Sequence, residues 1–107
     1  MKKKNILILG ELKKLLIDRF GEDLVHVILF GSQINGRSHQ YSDYDILIIL
    51  KDNFDWKVKR EISDICTDID IKHDLIIDFH VLSVEELNSL RGRQPIFQNA
   101  LSNGVYA

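Results

Sequence analysis

The chain has 107 residues, 45% of them hydrophobic and 28% charged, with a formal net charge of −2, a balance that suits one soluble globular domain with a modest core and excludes a disordered segment. With no overall basic field, nucleic acid is not expected as a partner. One cysteine, Cys66, excludes an internal disulfide, and neither it nor the four histidines His26, His39, His73 and His80 show zinc-ligand spacing.

Lys2, Lys3 and Lys4 precede the apolar run of "NILILG", but that run stops before Glu11, Lys13 and Lys14, so no leader is expected. No stretch approaches the roughly 20 apolar residues that cross a bilayer, and the expected location is the cytoplasm. Residues 5–20 place Ile8, Leu12, Leu15, Leu16 and Arg19 near one helical stripe, with Gly21 where a left-handed cap is expected. "LVHVILF", residues 24–30, reads as a buried strand ending at Gly31. After a polar passage, "YDILIIL", residues 44–50, is a second strand, apolar enough to be covered on both faces.

Asp55 can cap a long helix from Trp56, in which Trp56, Lys59, Ile62, Cys66, Ile69 and His73 recur at spacings of three and four. "LIIDFHVL", residues 75–82, is the third strand, and Ser83 with Glu86 forms a capping box that opens another helix. Pro95 suits the first turn of a final helix through about Asn103, stopped by Gly104, with a weak fourth strand around 105–107. The order predicts an α/β or α+β fold, a small mixed sheet packed with helices, in a single domain over residues 1–107.

Chemistry concentrates in "LFGSQINGRSHQYSDYDILIIL", residues 29–50. A Gly-Ser pair after a strand turns the backbone sharply and leaves amides and a hydroxyl able to hold phosphate oxygens. Asp43 and Asp45 are two apart at the entry to an apolar strand and so project to one face, where a divalent cation such as Mg²⁺ can offset their repulsion. Asp78 lies within the third strand on the face of Ile76 and His80, where a charge is costly unless paired or bound to metal. Three carboxylates beside a phosphate-gripping turn describe a two-metal phosphoryl-transfer site.

Gly31-Ser32, ten residues, Asp43-x-Asp45, an intervening helix and then Asp78 resemble the nucleotidyltransferase superfamily related to DNA polymerase beta, and the small size resembles its minimal nucleotidyltransferases. The resemblance extends over "VILFGS", Gly36-Arg37, "SDYDILIIL", the spacer helix and "PIFQNALSNGV". It implies transfer of a nucleoside monophosphate from an NTP, with ATP as the expected donor and two Mg²⁺ ions. Gly31 and Ser32 would grip the triphosphate, Asp43 and Asp45 would hold both ions, and Asp78 would complete the catalytic metal site and help deprotonate the acceptor. Gln33 stands where these proteins often carry arginine; Arg37 is the substitute the sequence offers.

Small members of this superfamily commonly accompany an all-helical HEPN-type RNase toxin and act as its antitoxin, some by moving AMP onto a toxin tyrosine. AMP transfer to a hydroxyl of such a partner is therefore the leading expectation. The alternatives are a non-catalytic antitoxin that masks its toxin by contact, and a small-molecule nucleotidyltransferase of the antibiotic type. Whether an oligomer or a partner chain completes the pocket is left open by the sequence.

Overall fold

The computed structural model of the chain describes residues 3–31 and 44–107. Helix α1, Lys3–Phe20, is followed by a 3₁₀ turn, Gly21–Asp23, and strand β1, Leu24–Phe30. Strand β2, Tyr44–Leu50, leads to helix α2, Trp56–His73, and strand β3, Ile77–Ser83. A single turn α3, Val84–Leu87, helix α4, Pro95–Asn103, and a short strand β4, Val105–Tyr106, complete the described residues.

Each boundary has a local cause. Gly21 takes φ +57° at the end of α1, a conformation that glycine adopts without a Cβ penalty. The Asp55 carboxylate caps α2 by accepting from the backbone N–H of Lys57 and Val58. Ser83 and Glu86 form a reciprocal capping box, each side chain accepting from the other's N–H at 3.1 Å.

Among the described residues, four strands form one sheet in the order β3-β2-β1-β4. β1 is antiparallel to β2 and β4, whereas β2 and β3 are parallel. A parallel neighbour needs a long crossover, and the 18-residue helix α2 supplies it. α1 and α2 cover one face, packing Ile8, Leu12, Leu16, Ile62, Cys66 and Ile69 onto Val27, Leu29, Ile46 and Ile48. α4 covers the other through Phe97 and Ala100 against Ile28, Phe30, Leu47, Ile49 and Leu82. With both faces covered, β2 is buried continuously from Ile46 to Leu50, as its unbroken apolar run implies.

One boundary read from spacing is corrected, and two stripe residues lie away from the sheet. β3 begins at Ile77, not at residue 75, because the end of α2 reaches into Leu75: Asp74 takes φ +53° and Leu75 N–H donates to Asp70 O. Arg19 lies on the α1 stripe by count but is exposed and pairs with Glu61 of α2 at 2.6 Å. Trp56 is 66% exposed, because its place in the first turn of α2 lies off the sheet. No helix of the described residues is long and apolar enough to cross a membrane.

α1 and the end of α2 are clipped together by Glu11, whose two oxygens accept from Lys72 Nζ and pair with His73 Nε2, both at 2.8 Å. Hydrogen bonding to Lys72 and then to His73 holds the Glu11 carboxyl below its ordinary value of 4.5. A carboxylate whose folded pKa is depressed adds stability above the ordinary value and loses it as pH falls through the folded one. Glu11→Gln is therefore expected to lower the melting temperature at neutral pH, with the gap from the parent chain closing below about pH 4.5 in thermal unfolding followed by circular dichroism.

Candidate active site

The parallel ladder runs from Tyr44 opposite Ile77 to Leu50 opposite Ser83, and it sets Asp45 directly opposite Asp78. Adjacent strands lie about 4.8 Å apart and register partners present side chains on one face. Alternation puts Asp45 on the face of Leu47 and Ile49, and Asp78 on that of His80 and Leu82, which is the α4 side. On its other flank Asp45 is the register partner of Phe30, the residue before Gly31. Two carboxylates and a glycine bend thus meet where β1 ends and β2 and β3 begin.

Gly31 has φ +81°, in the left-handed region that favours glycine. A Cβ built there would run into Asp45 Oδ2 and sit 3.2 Å from Asp45 Cγ. The glycine therefore serves a turn and a close approach together, bringing backbone against the carboxylate.

Asp78 is the second residue of an edge strand and its side chain is 52% exposed. The burial cost that first marks it in the sequence is small, and what distinguishes it is its register with Asp45. His80 lies two residues on, with Nε2 3.9 Å from Asp78 Oδ2 and its ring against Phe30 and Phe97. Of the six expected site residues, Gly31, Asp45 and Asp78 come together; Ser32, Arg37 and Asp43 lie outside the described residues. Arg91, after α3, pairs with Glu86 at 2.9 Å.

The donor set suits a hard cation. Mg²⁺ binds through one or two carboxylates and fills its remaining positions with water and substrate phosphate; Asp45 and Asp78, side by side on one face, match that requirement. Among the described residues no group of three His, Cys, Asp or Glu is gathered at one point.

Residues that spacing did not single out hold this end of the sheet. The Tyr44 phenol donates to Asn5 Oδ1 of α1 at 2.7 Å, and Tyr44 N–H donates to Ile76 O at 2.8 Å. Burial raises the Tyr44 pKa above 10.0, so the phenol keeps its proton. Asp70 Oδ1 accepts from Ile77 N–H at 2.9 Å, fastening the first residue of β3 to the last turn of α2. A usable signal was Asn5 itself, a polar residue in phase with Ile8, Leu12 and Leu16 on the buried stripe.

A mixed sheet thus carries an acidic pair across its parallel strands, beside a glycine bend, and comparison with known proteins fixes the class and the family. The family model for "Polymerase beta, Nucleotidyltransferase" matches residues 11–100. From Methanocaldococcus jannaschii, "Putative protein adenylyltransferase MJ0141" is 36% identical over 70 residues, 65% of this chain and 71% of the relative. "Putative protein adenylyltransferase MJ1305", of the same organism, is 46% identical over 44 residues, 41% of this chain but 30% of the relative's length. Among solved structures, a chain from the crystal structure of a toxin-antitoxin with AMP-PNP aligns at TM-score 0.51 and 26% identity, over 71% of this chain and 56% of that one. The chain belongs to the polymerase beta nucleotidyltransferase family, as the Gly-Ser and three-aspartate pattern implies.

Two glycines give opposite expectations. Gly31→Ala should destabilise by about 1–3 kcal/mol through its positive φ and the collision with Asp45. Gly10→Ala, in the middle of α1 with nothing within 4 Å of the added Cβ, should stabilise by about 0.5–1 kcal/mol. Urea titration of both variants checks the pair.

Proposed function

We propose that this protein moves AMP from ATP to a hydroxyl of a partner protein in a Mg²⁺-dependent reaction, and that it acts in the cytoplasm as an antitoxin that AMPylates a helical HEPN-type toxin. The observation that carries the chemistry is the register of Asp45 with Asp78 on one face, against Gly31. The acceptor is supported by the family, by relatives named as protein adenylyltransferases and by the likeness to a toxin-antitoxin structure holding an ATP analogue.

In this reading Asp43 and Asp45 would hold two Mg²⁺ ions, Asp78 would complete the catalytic metal site, and Gly31, Ser32 and Arg37 would grip the triphosphate. The bound ions would neutralise charge on the phosphates and ease loss of the acceptor proton. The acceptor oxygen bonds to the α-phosphorus as the bond from that phosphorus to the bridging oxygen breaks. Pyrophosphate leaves with the electron pair, and the hydroxyl proton passes to Asp78. Asp45 and Asp78, fixed on adjacent strands, hold the reacting groups in line, so that the protein contributes mainly orientation and charge. The Gly31 bend lets backbone approach the phosphates where a side chain would block it.

With α-labelled ATP and a co-expressed HEPN-type partner, the parent chain should label the partner, and EDTA should abolish labelling. Asp45→Asn and Asp78→Asn should each reduce it by about a hundredfold or more, since the ions supply several kcal/mol of charge stabilisation. Undiminished labelling by either variant would overturn that residue's role. Toxin neutralisation by the variants, with no labelling even by the parent chain, would assign the protein to masking by direct contact.

A further inference from the structure

The entry of β2 is anchored from the face of the sheet opposite the candidate site. Side chains alternate along the strand, so Tyr44 points toward α1 while its neighbour Asp45 points toward α4. Tyr44 is 7% exposed and Asn5 is 1% exposed, and the bond between them, from phenol to amide oxygen, is 2.7 Å long. The backbone N–H of the same tyrosine donates to Ile76 O, two residues ahead of Asp78. One residue therefore joins the first turns of α1, the start of β2 and the approach to β3.

As packing alone the pair is a poor solution. Asn5 Nδ2 is buried with no hydrogen-bond partner among the described residues, and an orphaned buried donor is destabilising, whereas an apolar pair of the same shape can be neutral or better. What an apolar pair lacks is direction, since a hydrogen bond fixes distance and angle and a hydrophobic contact tolerates sliding. Mg²⁺ demands near-ideal octahedral geometry, so small displacements of a carboxylate matter to it.

We propose that the buried Tyr44–Asn5 hydrogen bond is a positioning device that sets Asp45 against Asp78, and that Tyr44 and Asn5 thereby control the affinity of the site for a divalent cation with its nucleotide. The proposal rests on the reading of Asp45 and Asp78 as cation ligands. Neither Tyr44 nor Asn5 touches substrate in it; both act through Asp45.

The test is calorimetric titration of Mg²⁺ with a non-hydrolysable ATP analogue into the parent chain, Tyr44→Phe, and the double variant Asn5→Leu with Tyr44→Phe, each also melted thermally. Tyr44→Phe should bind about tenfold more weakly, as loss of a group that orients a metal ligand does. The double variant, with both polar groups removed, should regain the parent's thermal stability and still bind weakly. Parental affinity in Tyr44→Phe would overturn the proposal, as would a double variant that recovers affinity together with stability. If Tyr44→Phe fails to fold, the double variant decides. Absence of binding by the parent chain would overturn the site reading and this proposal with it, whereas parental binding unchanged by the substitutions removes the proposal alone.

Discussion

The in-register parallel pairing of β2 with β3 is the constraint on which the rest depends. Because side chains alternate with period two, a slip of one residue in either strand would carry Asp45 and Asp78 to opposite faces. The slip is prevented by burial. Ile46 to Leu50 are all buried, the odd and even positions against different helical layers, and each fully buried Leu or Ile contributes about 1.5–3 kcal/mol relative to exposure. Sliding β2 by one place would present Asp45 to the core beneath α1 and α2. The apolar residues of the strand therefore position the polar one.

α2 has a part in this beyond spacing. Parallel strands cannot be joined by a tight turn, so the helix must return the chain to the starting end of the sheet. Its capped beginning at Asp55 and its left-handed end at Asp74 define where β3 starts. The Asp70 carboxylate then holds Ile77 N–H, one residue before Asp78. The hydrogen bonds of Asp70 and Tyr44 act on different strands from different helices, yet both fix the same end of the sheet.

What could be read from the sequence follows from what kind of signal each feature leaves. β1 and β2 were legible because each is an apolar run with a sharp polar or glycine boundary, and the starts of α2 and α3 because Asp55 and Ser83 with Glu86 are local caps. Leu75 and Ile76 look like strand in the sequence, which extends the expected β3 two residues early; the left-handed Asp74 and the bond from Leu75 N–H to Asp70 O, which end α2 there, leave no periodic trace. Arg19 and Trp56 fell on apolar stripes by count, but spacing reports a face and not what stands opposite it. Asp78 stands out in the sequence as a charge within a strand, whereas the structure makes it half exposed and sets it in register with Asp45, 33 positions away in sequence. The Tyr44–Asn5 bond is likewise a contact between distant segments, and only Asn5's phase on a buried stripe hinted at it.

The two ends of the β2–β3 pair differ in a way that separates a binding site from a structural cap. At the far end Ser83 is fully buried, yet its hydroxyl donates to Asn53 Oδ1 at 2.8 Å and accepts from Glu86 N–H, while Asn53 in turn donates to Glu85. Its polar groups answer one another, as stable interiors require. At the near end two carboxylates are set side by side, a backbone bend is pressed against one of them, and the amide that anchors the strand keeps a buried donor without a partner among the described residues. The last of these costs stability, and a strand end built only for folding has no need of it. In the proposed reading a divalent cation with bound phosphate makes use of the first two, and the directional bond from Tyr44 to Asn5 gives a reason to retain the third.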